Sequence, residues 1–243
     1  ISAEKLKSQS YLDAINDWTE KQQMVLSEKK TKAMIFNFTH NHQFTTRLQL
    51  KGQNVEIVNQ MKILGTVIKS DLSWNDNCQL IIKKVNARMQ LLRSIHSFGA
   101  TVDEMVHLWV VFCRSVLEQS CVVWHSSLTQ ENIEDLERCQ KIFTKLVLKN
   151  KYLNYEDALI KLNLDCLHSR RQHLCEKFAT SGIKQKKLDD LFPENNKKLK
   201  METRNCEKFS VQFANTERLK KSSIVSMQRC LNEEEKQRKR NCG

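Results

Sequence analysis

NCQLIIKKVNARMQLLRSIHSFGATVDEMVHLWVVFCRSV (77–116) is the stretch whose reading decides the fold. Ile81, Val85, Met89, Leu92 and Ile95 recur at three- and four-residue intervals, which keeps them on one side of an α-helix. Gly99 is the residue expected where such a helix ends. Thr101, with Glu104 three residues on, is a capping box, and it opens a second stripe of Met105, Leu108, Trp109, Phe112 and Val116. Downstream, Thr129 caps a third helix with Ile133, Leu136, Gln140, Phe143 and Val147 on one face. Shorter helical patterns follow over 155–162 and 169–179, with Gly182 as their stop. Residues 77–182 therefore read as an antiparallel helical bundle joined by short loops.

Upstream of this bundle the period changes. Tyr11, Leu12, Ile15, Trp18 and Val25 recur at helical spacing, after which residues 32–38 have the apolar content and length of a strand. A run at 48–51 meets Gly52, Gln53 and Asn54 and returns over 55–58, a hairpin signal. Ile63, Leu64, Val67 and Ile68 predict a fourth strand around Gly65, where a glycine permits a bulge, a packing contact or a close approach of backbone to another chain. The expected class is α+β, mainly α, in three parts: 1–76 with a helix and short antiparallel strands, 77–182 as the bundle, and 183–243 as a basic, partly flexible C-terminal region.

Composition narrows the classes of function. The chain has 243 residues and a formal charge of +12, and the surplus is uneven: net +2 over 1–76, +3 over 77–182 and +7 over 183–243. Clustered cations release counterions from a phosphate backbone, so the last segment suits nucleic acid, although a solvated basic tail has the same composition. Nine cysteines stand singly with no C-x-x-C pair, as expected of reduced thiols inside a cell. No apolar run of about 18 residues is read as a membrane span, and no charged-then-apolar leader follows the first residue, which is Ile. The expectation is a soluble intracellular protein of nucleus and/or cytoplasm, without membrane partners and with an incomplete N-terminus.

Candidate chemistry in the residues themselves is thin. Cys166, His168, His173 and Cys175 are zinc-capable, yet on a helix His173 points away from the face shared by His168 and Cys175. Asp189 and Asp190 are adjacent in a lysine-rich segment, not in a strand. No phosphate-binding glycine loop and no G-x-S-x-G occurs. Two-metal phosphoryl transfer needs carboxylates that hold ions about 4 Å apart, and the sequence offers no such set, so neither a catalytic nor a metal-ligating residue is assigned.

Five motifs stand in a fixed order: LSEKKTKAMIF (26–36), KILGTVIKSDLSW (62–74), LEQSCVVWHSSLTQENIEDLERCQKIF (117–143), LHSRRQHL (167–174) and VQFANTERLKKSSIVSMQRCLN (211–232). In that order they resemble the C-terminal part of the reverse transcriptase of a jockey-like non-LTR retrotransposon. The resemblance covers nearly the whole chain. It implies the end of a polymerase palm, a helical thumb and a C-terminal region, with the metal-binding Asp pair lying before Ile1. It also implies Mg²⁺ in the intact parent polymerase but none bound by this chain, which would be inactive alone, and an RNA template and DNA primer as partners, met as RNA–DNA hybrid or duplex DNA.

The resemblance further assigns roles. Lys30 and Thr31 match the segment that lies near the incoming nucleotide's phosphates, with Ser27 where the family has Asn. Lys62, Leu64, Gly65 and Lys69 match the hairpin that grips the primer end. Lys83, Lys84, Arg88 and Arg93 on the first bundle helix become duplex-binding candidates, as they would equally be an ordinary solvated face. Gln119 stands where the thumb pattern has Tyr. Arg170 and Arg171 match a paired arginine suited to phosphate, and they could equally bridge helices through Glu137 or Asp165. The alternative reading is a non-enzymatic helical module, binding nucleic acid or protein, derived from a decayed element.

Overall fold

The computed structural model describes residues 3–38, 47–185, 189–194 and 207–241. Helix accounts for 63% of the structure and strand for 9%, so the protein is α+β and mainly α. The chain divides into two compact units, Ile1–Asn77 and Cys78–Gly243.

In the first unit, α1 (Ala3–Lys21) is followed, among the described residues, by six short strands: β1 (Lys32–Ala33), β2 (Gln49–Leu50), β3 (Gln53–Asn54), β4 (Glu56–Ile57), β5 (Gln60–Ile63) and β6 (Thr66–Lys69). They form three two-stranded pairs, β1 parallel to β4, β2 antiparallel to β3 and β5 antiparallel to β6. The Gln9 side chain ties α1 to β2 as an amide partner: its Nε2 donates to the Gln49 carbonyl at 2.8 Å and its Oε1 accepts from the Gln49 amide at 2.9 Å. Leu50, Val55 and Val67 are buried. The expected stripe on α1 is not core here, because Tyr11, Ile15 and Trp18 are each more than half exposed.

Gly65 is not inside a strand. Ile63 pairs with Thr66, so Leu64 and Gly65 form a two-residue turn with φ of 48° and 92°. Positive φ at both positions is the hairpin turn whose twist matches the flanking strands. Lys51 and Gly52 repeat this geometry between β2 and β3, with φ of 51° and 80°. The expected strand over 32–38 is regular only at β1, and its partner is parallel.

The second unit is built on α2 (Asn75–Ser97), where Ile81, Val85, Met89 and Leu92 are buried as their spacing predicts, together with Cys78, while Ile95 at the end of the stripe is half-buried. Gly99, at φ 92°, follows. The Thr101–Glu104 capping box opens α3 (Val102–Leu108), with the Glu104 amide donating to Thr101 Oγ1 at 3.3 Å and the Thr101 amide donating to Glu104 Oε2 at 2.8 Å. A π-helical segment (Trp109–Arg114) then passes into α4 (Ser115–Glu118). The wider π turn adds one residue to the helix period. The buried series accordingly runs Met105, Trp109, Cys113, Leu117, and Phe112 is half-exposed instead of core.

Val102–Ser127 is long and apolar enough to cross a membrane by length and composition, with a hydropathy of 1.3, contrary to the sequence reading. In this fold Trp109, Cys113, Leu117 and Trp124 from that stretch are in the core. Its helical run is also broken at Ser120, which has φ 53°.

The remaining helices are α5 (Cys121–Trp124), α6 (Gln130–Leu148), α7 (Tyr155–Lys161), α8 (Leu167–Lys184), α9 (Glu217–Lys220) and α10 (Ser223–Asn241). Thr129, Asn154, Cys166 and Thr216 cap α6, α7, α8 and α9 through side-chain acceptors. Helix α8 runs through Gly182, which therefore does not stop it. Helix α10 continues through the basic run at 236–240. Its Met227 and Leu231 join Cys175, Ala179, Phe192 and Phe209 in one buried cluster. Asn232 clamps the Phe209 backbone, accepting from its amide at 2.9 Å and donating to its carbonyl at 3.0 Å.

The centre of the bundle is polar. Gln140 is fully buried; its Oε1 accepts from Trp109 Nε1 at 3.2 Å, and its Nε2 donates to the Tyr155 hydroxyl at 3.0 Å and the Asp165 carbonyl at 2.9 Å. The Trp109 ring stacks on Phe143 with centroids 4.5 Å apart. Replacing Gln140 with Ala leaves the indole N–H and the Asp165 carbonyl unmet and opens a void. The expected loss is about 2–4 kcal/mol of unfolding free energy, measured by urea denaturation of the full chain, with Gln140→Glu also destabilising.

Candidate nucleic-acid interface

Sorting the cations by what each side chain touches separates the candidate site residues. Ser27's carbonyl closes the turn that carries Lys30 and Thr31, accepting from the Lys30 amide at 3.1 Å, the Thr31 amide at 2.9 Å and Thr31 Oγ1 at 2.9 Å. Lys30 is exposed on that turn, and Thr31's hydroxyl is occupied in holding it. At the β5–β6 hairpin, Leu64 is 91% exposed at the tip and Lys62 is exposed. The register pairs Gln60 with Lys69 and Lys62 with Val67, so Lys62 and Lys69 lie on one face of the hairpin. Lys69 is held by Asp76 at 3.4 Å.

In the second unit three of the six duplex candidates are engaged by the protein itself. Arg88 donates to the Phe112 carbonyl and lies over the Phe112 ring, 5.7 Å from its centroid. Arg170 forms a two-pronged ion pair with Glu118, which also lies 3.6 Å from Arg114. Arg171 is fully buried, so it is out of reach of a phosphate. Its Nε donates to His125 Nδ1 at 3.4 Å, and its guanidinium sits 5.8 Å from the centre of the Trp124 ring. The proposed links from this pair to Glu137 or Asp165 do not form. Glu137 instead accepts from the Tyr155 hydroxyl, the Leu167 amide at 3.0 Å and the His168 amide at 3.3 Å, capping the start of α8.

Lys83, Lys84 and Arg93 make no ion pair among the described residues. Lys83 and Arg93 belong to a pattern that a search for cations alone misses. Gln79, Lys83, Asn86, Gln90 and Arg93 follow one another at four- and three-residue steps and are all exposed. At 1.5 Å per residue this polar face is about 21 Å long. A groove between α2 and α6 adjoins it, lined by Gln79, Lys83, Asn86, Asp135 and Arg138, with Arg138 paired to Asp135 at 2.7 Å. The recurrence of amides at Gln79, Asn86 and Gln90, spaced i, i+7, i+11 with cations between and after them, is legible in the sequence.

The zinc-capable residues at 166–175 do not converge. Cys166 Sγ accepts from the Ser169 amide, the His168 ring packs against the His125 ring at 5.0 Å, His173 is exposed, and Cys175 bonds the Cys121 carbonyl at 3.9 Å. Among the described residues the metal-capable group of three or more is Glu176, Cys230 and Glu234, on helices and containing a thiol. That donor set does not fit the all-oxygen coordination of Mg²⁺. Burial pushes the thiols of Cys78, Cys113 and Cys139 up to about 11, so they stay protonated and unreactive. No family model, no curated protein and no solved structure matches the chain.

His125 gives the site a pH dependence. Burial, then the Arg171 charge and His168, push its imidazole down to about 4 from 6.5. A folded value below the unfolded one means that the unfolded chain binds the extra proton. Stability is complete above pH 6.5 and is lost as pH falls from 6.5 to about 4. The loss attributable to this group is at most about 3 kcal/mol. Urea midpoints across that range should fall in the parent chain and fall less steeply in His125→Gln.

Proposed function

We propose that this chain is the template–primer-holding part of an RNA-directed DNA polymerase of the non-LTR retrotransposon kind. The observation that carries the reading is the exposed face of α2, where Lys83 and Arg93 are interleaved with Gln79, Asn86 and Gln90. Cations neutralise phosphates, while amides bond sugar hydroxyls and groove edges without demanding a base sequence. A polymerase must bind every sequence, and such a face suits that demand. The five ordered motifs and the tight β5–β6 hairpin with its exposed tip support the same reading.

In this reading the Lys30 turn approaches nucleotide phosphates and the Lys62–Lys69 hairpin approaches the primer backbone. Arg88 and Arg170 brace helices, and Arg171 belongs to the core. Catalysis belongs to carboxylates other than those described here, with Mg²⁺ as the parent polymerase's ion. The place of action is wherever the element's RNA is copied, nucleus and/or cytoplasm. The runner-up is a nucleic-acid-binding module without polymerase chemistry. It is favoured by the fact that Glu137, Gln140 and Asn232, all within the motifs, serve the interior of the fold.

Fluorescence anisotropy with an RNA–DNA hybrid and with duplex DNA tests the proposal. Deleting 183–243 would strip Met227 and Leu231 from the core, so charge removal on α2 is the cleaner variant. With about five phosphate contacts the slope of log K against log salt should be near −4 to −5, and Lys83→Ala/Arg93→Ala should make it shallower by about 2. Hybrid should bind at least as well as DNA duplex. An unchanged slope in the double variant, or no binding at low salt, overturns the reading. The same protein should show no primer extension above background with Mg²⁺ or Mn²⁺, and extension overturns that expectation.

A further inference from the structure

Glu176 on α8 and Cys230 and Glu234 on α10 bring a thiol sulfur and two carboxylate oxygens within 4.8 Å of one another. Cys230 and Glu234 are four residues apart and so share a helix face, which α10 turns toward α8. All three side chains line a cavity of about 10 Å³, which also touches His125, Ser126 and Gln172. That is the room one water or one ion needs.

The charges around this cavity are unbalanced. Glu176 has neutral partners, accepting from Gln172 Nε2 at 2.9 Å and from the Cys230 thiol at 3.3 Å, with His173 Nδ1 at 3.9 Å from its other oxygen. Glu234 has no hydrogen bond or ion pair among the described residues. On α10 itself, Lys236 is paired with Glu207 at 3.2 Å and Arg238 with Glu235 at 4.0 Å. Two half-buried carboxylates and a thiol at this separation repel once ionised, in a protein that otherwise carries a surplus of positive charge.

The geometry points to a binding site for a zinc-type divalent cation formed by Glu176, Cys230 and Glu234, joining α10 to α8. A thiolate selects a borderline-soft ion over Mg²⁺ or Ca²⁺, and two carboxylates supply the remaining charge. Water completes a tetrahedral shell. The ligands come from 176 and 230–234, not from the 166–175 segment that the sequence offers. This site is independent of any nucleic-acid role.

Cobalt titration of the full chain is the test, with Zn²⁺ competition for affinity. One Co²⁺ per chain should bind with a sulfur-to-cobalt charge-transfer band, and equimolar Zn²⁺ should displace it. Cys230→Ser should abolish the band, and Glu234→Gln should weaken Zn²⁺ at least about 10-fold, the loss seen even for residues that only orient a ligand. Zn²⁺ should raise the melting temperature of the parent chain, and raise that of either variant less at the same Zn²⁺ concentration. If Cys230→Ser fails to fold, Glu234→Gln decides, since that carboxylate makes no bond the metal-free fold depends on. A band that survives Cys230→Ser, an affinity unmoved by Glu234→Gln, or no stoichiometric cobalt binding overturns the site.

Discussion

The fully buried amide of Gln140 holds the helices of the second unit in one arrangement. Its carbonyl oxygen serves Trp109 in the π-helical segment, and its N–H₂ serves the Tyr155 hydroxyl in α7 and the Asp165 carbonyl just before α8. Apolar side chains tolerate a neighbour sliding by a fraction of a turn, whereas three directional bonds do not. One turn earlier on α6, Glu137 takes the same Tyr155 hydroxyl and caps α8 at Leu167 and His168. Two polar side chains on one helix thus fix α7, α8 and the π turn together. Each unmet partner in so dry a place would cost about 1–3 kcal/mol, which makes the alternatives to this packing expensive.

Fixing α8 decides what its arginines do. Successive residues on a helix point about 100° apart, so Arg170 and Arg171 cannot both face the same way. Arg171 goes inward, against Trp124 and His125, and Arg170 reaches Glu118 at the end of α4. Burial, and after it the inward guanidinium, lowers the proton affinity of His125. At the other end of the chain, Asn232 and Gln228 act as Gln140 does, binding the backbone of Phe209 and Leu191 so that α10 is seated on the bundle. Arg170 and Arg171 are thereby committed to structure, whereas Lys83, Lys84 and Arg93 on α2 make no ion pair among the described residues.

The α2 stripe could be read from the sequence because one period ran unbroken from Ile81 to Leu92, all buried as expected. The next helix was misread at Phe112 because a single π turn changes the phase without leaving any mark in composition. Leucine seldom sits at φ 48°, so the sequence pattern puts Leu64 in a strand; strand pairing on both sides, not intrinsic preference, places it in the turn. Gly182 looked like a stop, yet Ala179 is buried in the cluster and Ile183 packs against it, which carries α8 past a residue that costs only about 1 kcal/mol in a helix. At the candidate interface, residue type identified the cations but could not tell which would be claimed by Glu118, Phe112 or the core.

Several residues of the motifs that carry the resemblance serve the interior of the fold. Glu137, Gln140 and Asn232 would be needed by any protein with this packing, whether it copies nucleic acid or only holds it. The distinction between those roles therefore rests on the surface, and the proposed reading rests on the α2 face. A solvated face needs only net charge, which lysine and glutamate supply equally well. Here Lys83 and Arg93 stand about 15 Å apart with exposed amides between them and no acidic residue between them on that face. Positive ends with neutral hydrogen-bonding groups between them complement a backbone in which phosphates alternate with uncharged sugars, which is the pattern a duplex presents along its groove.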